Sequence, residues 1–288
     1  MRTLRWITYE PLTMDPYTKK YPSMEEIRRE LNLLRDSGFE GIITFSAKEN
    51  LSSIPREAKN IGIASVIMGI MNPTDKEEVK RAINESEYVD AYCVGNMFTD
   101  DNYGVAEVID AIERVREATN KPITTTLRPN GYLAFPSITS SIDWIFPDIH
   151  TNWYTDASAK KNLEDTKYLI DRVRDVQRMY PYKPILLKMI SLPSADAKNS
   201  SPREQFKFFK SIVEYSKGYM DFPERVYPSY FSGFDIPWKT SERKWPSGEA
   251  YVGLFNKDGN PKKFIDPESK EEILVIKAFE WSDTVQRD

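Results

Sequence analysis

The chain has 288 residues, and its 40 Lys and Arg against 44 Asp and Glu leave a net charge of −4, so it carries no basic field for nucleic acid. One Cys, Cys93, excludes an intramolecular disulfide framework and a Cys-built zinc site, and one His, His150, removes most His-based zinc and Ser-His-Asp chemistry. The longest apolar run, Ile61 to Met71, is shorter than the roughly 20 residues that span a bilayer.

In chain order the apolar, strand-length runs are Leu4–Tyr9, Gly41–Phe45, Ile61–Met68, Val89–Asn96, Ile123–Leu127, Trp144–His150, Ile185–Ile190 and Arg225–Phe231. Between them lie helical patterns with start signals. Ser23-Met24-Glu25-Glu26, Thr74-Asp75-Lys76-Glu77 and Ser201-Pro202-Arg203-Glu204 read as capping boxes, and Gly38 as a left-handed helix stop. The longest helix is expected over about residues 159–180, with Leu163, Tyr168, Leu169, Val173, Val176 and Met179 on its core stripe. Gly131–Ser141 is short and weakly helical. No linker or low-complexity tract divides the chain, so residues 1–288 are expected to form one domain. Its N-terminus lacks a signal core and cleavage site, as in a cytoplasmic protein or a secreted one with its signal removed.

Eight strands with helical crossovers predict a parallel sheet. Neither a Gly-x-Gly-x-x-Gly motif nor a Walker-type loop is present, which argues against a nucleotide-binding open sheet. A single (β/α)8 TIM barrel is the expected fold, with its site at the C-terminal strand ends. Those ends carry Tyr9 and Glu10, Asn96 and Met97, Arg128, Asp148 and His150 with Trp153 and Tyr154, Lys188 and Met189, and Asp235 with Trp238. Aromatics make up 12% of the chain, a supply suited to stacking on sugar rings.

Those residues carry a resemblance. Cys93-Val94-Gly95-Asn96-Met97 resembles the Val-Gly-Asn-Glu signature of glycoside hydrolase family 17, and Met189–Ser194 resembles its Glu-Thr/Val-Gly-Trp-Pro-Ser motif. Asp148-Ile149-His150 with Trp153-Tyr154 is similar to its strand-six element. Phe234–Lys239, Tyr251–Phe255 and Pro261-Lys262 resemble its C-terminal elements. The resemblance implies a retaining-glycosidase barrel with a β-glucan groove. It aligns the general acid with Met97 and the nucleophile with Met189. A thioether has no proton to give and forms no glycosyl ester, so the family's double displacement cannot run on these side chains.

Three expectations follow. The first is a pseudo-glycosidase that binds a β-linked glucan or oligosaccharide through Tyr9, Asn96, His150, Trp153, Tyr154 and Trp238, needs no metal or cofactor, and has as its partner that glycan or a glycan-processing protein. The second is altered chemistry, a phosphorylase or inverting hydrolase with Glu10, Asp148 or Asp235 as acid and Arg128 holding an anion. The third is a barrel whose mouth is plugged by Met97, Met189 and Arg128. For Arg128 and Lys188, ion pairs with Glu10 or Asp148 are the structural alternative. Regular alternation on strand seven would turn Lys188 away from the side of Met189.

Overall fold

The computed structural model describes residues 5–96, 103–149, 162–216, 226–241 and 246–279. Eight parallel strands run in the order β6-β5-β4-β3-β2-β1-β8-β7. They are β1 (Trp6–Thr8), β2 (Gly41–Ile43), β3 (Ser65–Ile70), β4 (Ala91–Asn96), β5 (Ile123–Leu127), β6 (Phe146–Pro147), β7 (Ile185–Ile190) and β8 (Val226–Tyr230). Parallel bridges Ile145↔Ile185 and Asp148↔Lys188 join β6 to β7 and close the sheet on itself. The result is the expected (β/α)8 barrel. A two-stranded antiparallel hairpin follows, β9 (Lys263–Ile265) and β10 (Glu272–Leu274).

The helices are α1 (Met24–Asp36), α2 (Ile54–Asn60), α3 (Lys76–Asn84), α4 (Val105–Thr119), α5 (Pro129–Ala134), α6 (Pro136–Ser141), α7 (Asn162–Met179) and α8 (Pro202–Ser216). At α1 the capping box forms as expected: the Glu26 amide donates to Ser23 Oγ, and the Ser23 amide donates to the Glu26 carboxylate. Gly38 takes the left-handed φ of 85°. Before α3 the cap is shifted by one residue. Asn72 captures both the amide and hydroxyl of Thr74, and Asp75 Oδ1 accepts from the Glu77 and Glu78 amides instead. The third strand also starts later than its apolar run, because Ile61 ends α2 and Gly62 turns at φ 94°. The sixth is shortened to two residues, one of them Pro147, which has no amide to donate.

Period-two alternation sorts the side chains. Ile7, Ile42, Val66, Tyr92 and Leu187 face the helices in the large outer core, while Trp6, Ile43, Ile67, Cys93 and Leu186 fill the barrel interior. Above this layer a small cluster of Met189, Phe231, Ile236 and Val252 lies at the C-terminal end, with Phe45 and Trp238 against it. Among the described residues no helix is long and apolar enough to cross a membrane.

Candidate functional site

The alternation breaks at the ends of two strands, and both breaks bear on the mouth. On β4 the pairing with β5 slips between Cys93 and Asn96, where Gly95 has φ 80°. On β7 the pairing with β8 slips between Leu187 and Ile190, where Met189 has φ 67°. Lys188 continues the inward series of Leu186. The left-handed turn at Met189 brings the next side chain to the same cavity, where regular alternation would have turned it toward the helices. Both therefore line the mouth, which corrects the expectation that they lie on opposite faces.

The cavity at the mouth measures about 100 Å³. At roughly 30 Å³ per water it holds a few waters or one edge of a sugar ring. Around it stand five buried charged side chains: Glu10, Asp148, Lys188, Lys239 and Glu249, each less than 10% exposed. Lys239 and Glu249 form an ion pair inside the protein, and the Lys239 ammonium lies 5.1 Å from the Phe231 ring centroid and 5.5 Å from that of Trp238. Glu10 accepts a hydrogen bond from Trp238 Nε1 at 3.1 Å. Burial pushes the Glu10 carboxyl above its usual range, while Lys239 and the indole N–H pull it back and Glu249 adds to the rise. The Lys188 ammonium sits 5.3 Å from the Phe45 centroid and 5.7 Å from Phe146. Burial lowers its pKa against the opposing field of Asp148, its neighbour across the β6–β7 seam.

A second layer holds these loops in place. The Glu78 carboxylate of α3, fully buried, accepts from the Ser46 hydroxyl at 2.7 Å and from the amides of Ala47, Met71 and Asn72 at 3.0, 2.9 and 3.1 Å. Ser46 and Met71 line the cavity, so one carboxylate fixes the ends of β2 and β3 there. Glu30 plays a similar part under β1, accepting from the Tyr9 hydroxyl at 3.0 Å and the Leu12 amide at 3.2 Å.

Burial holds the Glu30 carboxyl up at about 7 against a usual value of 4.5. Native protein therefore keeps a proton that the unfolded chain has lost. The associated stability is present at low pH and falls by up to about 3 kcal/mol as pH rises between those two values. Thermal unfolding of the wild type across that range should show this loss. Glu30→Gln, which cannot titrate, should flatten it.

The other site candidates are placed as follows. Tyr9 lines the cavity, but its hydroxyl is committed to Glu30. Arg128 begins α5 as an exposed residue outside the cavity lining, and the cations at the mouth are Lys188 and Lys239 instead. Met189 edges a cavity that remains, so neither it nor Arg128 plugs the mouth. Asp235 lies away from the cavity, tied to Lys262 Nζ at 2.7 Å in a separate groove. Met97, His150, Trp153 and Tyr154 lie outside the described residues, as does the side chain of Asn96. Glu249 and Glu78 were not picked out by the sequence. Glu249 comes from a one-turn 3-10 helix, Ser247–Tyr251, and Glu78 from a helix face, so neither marks a strand end.

Residues 7–253 match the family model of the BtgE/BtgC glycoside hydrolase domain. No curated protein matches the sequence. The structure is similar to CJP38, a β-1,3-glucanase and allergen of Cryptomeria japonica pollen, at 15% identity and a TM-score of 0.65, over 90% of this chain and 97% of that one. It is also similar to GH5_18 from Streptomyces cattleya in complex with GlcNAc, at 14% identity and a TM-score of 0.64, over 91% and 77%. Against a GH2 β-galacturonidase from Eisenbergiella tayi the identity is 13% and the TM-score 0.62, over 90% of this chain and 49% of that one. The chain thus spans about half the length of the galacturonidase. At these identities the likeness is one of fold.

Proposed function

Because this chain belongs to the BtgE/BtgC glycoside hydrolase domain family, we propose that its barrel mouth binds a β-linked glucan or oligosaccharide and does not cleave it by double displacement. One observation carries this: Met189 edges a cavity whose Glu10 and Glu249 are already engaged, Glu249 by Lys239 and Glu10 by the Trp238 indole. The alignment with family 17 that the motifs imply puts the nucleophile at Met189 and the acid at Met97. A thioether at the first of these positions can attack no anomeric carbon to give a glycosyl ester. Trp238, half-buried at the cavity rim, supplies an apolar ring, and Thr44 and Ser46 supply hydroxyls. The cavity admits one ring edge, so the glucan would lie across the mouth.

Titration calorimetry with a β-1,3-gluco-oligosaccharide tests the binding half. Trp238→Ala should weaken it by about tenfold, the equivalent of 1.4 kcal/mol. Affinity unchanged in Trp238→Ala would move the ligand away from the mouth.

A second reading has one observation in its favour. Glu10 is buried at the cavity and held above the usual carboxyl range, which suits a general acid. In that reading phosphate or water attacks the anomeric carbon while Glu10 protonates the leaving oxygen. Shortening of the oligosaccharide that disappears in Glu10→Gln would establish it over the first.

A further inference from the structure

A second groove lies on the flank of the barrel top, open and about 810 Å³ in volume, between Tyr251, the Asn256–Asn260 turn and the β9–β10 hairpin. Its floor is a buried ion pair. Lys262 Nζ donates to Ser194 Oγ at 2.7 Å, to Asp235 Oδ1 at 2.7 Å and to the Tyr251 carbonyl at 2.8 Å, so all three of its protons are placed. Asp235 Oδ1 also accepts from the Gly253 amide at 3.0 Å. Among the described residues Oδ2 accepts nothing. Asp235 is only 6% exposed, lines the groove, and its Oδ2 is not among the sealed polar atoms, so its exposure is toward the groove. A desolvated carboxylate oxygen turned to an opening calls for a donor from outside the chain.

The surroundings select which donor. Lys262 already neutralises Asp235, and on the rim Lys257 and Lys263 are balanced by Asp258 and Glu272, Lys263 pairing with Glu272 at 2.9 Å, so the groove has no net charge that calls for a cation. An anion would meet the carboxylate. A neutral hydroxyl is the donor that fits. Beside Asp235, whose amide bonds the Phe255 carbonyl, Asn256 keeps its Oδ1 on the Asp258 and Asn260 amides. Its Nδ2 is left as a hydrogen-bond donor to the groove. Tyr251 lines the same groove, its backbone held by its carbonyl, which accepts from the Ser194 amide and hydroxyl and from Lys262 Nζ. A carboxylate acceptor, an amide donor and an aromatic ring are the elements that hold a pyranose.

From these we infer that the flank groove is a second carbohydrate site, distinct from the mouth, that takes a neutral sugar unit with one hydroxyl on Asp235 Oδ2. The choice of a β-glucan as probe rests on the proposed function; the site itself does not. The test is hydrogen–deuterium exchange of the full chain with and without millimolar β-1,3-gluco-oligosaccharide. Protection is expected over residues 251–263, separate from any over residues 10–14 and 44–51 at the mouth. Asn260→Trp should abolish the flank protection by filling the groove. That side chain is exposed, and Asn260 takes part in its turn through its own amide and carbonyl, so the fold survives. Asp235→Asn, read in the same way, should weaken it by about tenfold. Protection at the mouth alone, or at neither place, overturns the flank site. Protection at the flank alone upholds it and removes the mouth reading.

Discussion

Glu78→Ala is expected to bring the protein close to unfolding. The carboxylate receives four hydrogen bonds, three of them from backbone amides at the ends of β2 and β3. Removing it strands those donors where burial denies them water, at about 1–3 kcal/mol each before relaxation. Partial re-solvation of the Asn72 end, which is less buried, reduces the sum to on the order of 4–6 kcal/mol, comparable to the whole stability of many domains. Glu78→Gln keeps one acceptor oxygen and turns an NH2 toward a donor, so it should cost about half as much. Urea unfolding at constant m-value measures both. A loss under 1 kcal/mol in Glu78→Ala would mean that the loops at the mouth are held some other way.

Lys239→Met should be nearly as damaging, and for the opposite reason. The pair it makes with Glu249 is buried, with side chains 8% and 2% exposed. Removing the lysine leaves a carboxylate in the mouth with its cation gone, a penalty of about 3–5 kcal/mol. The double variant Lys239→Met/Glu249→Leu replaces both charges by apolar groups of similar length and should recover most of that loss. If the single variant is as stable as wild type, Glu249 is not held as an ion inside the protein, and it returns to the set of carboxyl groups available for chemistry.

The barrel was legible because its signals are local. β5 and β7 match their apolar runs residue for residue, since a buried parallel strand is a short apolar run bounded by turns. The third run slipped because Ile61 is apolar yet ends a helix, and apolarity alone does not separate a helix end from a strand start. At the mouth, Glu10 was legible as the residue after a strand. The joint arrival of Lys188 and Met189 was not, because it depends on a positive φ at a methionine that no period-two pattern encodes. Glu249 reaches the cavity from a stretch with no periodicity, placed there by long-range bonds, the Ile236 amide to the Ala250 carbonyl and the Ser194 amide to that of Tyr251. Asp235 was visible as a charged residue beyond β8, but which side of the chain it faces is set by Lys262, 27 residues later.

In the proposed function the mouth holds a glucan intact. Native mass spectrometry of the protein with a β-1,3-gluco-oligosaccharide in phosphate-containing ammonium acetate tests it most directly. Complexes at the mass of the uncut ligand, stable over time and diminished in Trp238→Ala, are the predicted result. Shortened chains or a sugar phosphate, lost in Glu10→Gln, would contradict it and make Glu10 the acid of a working enzyme.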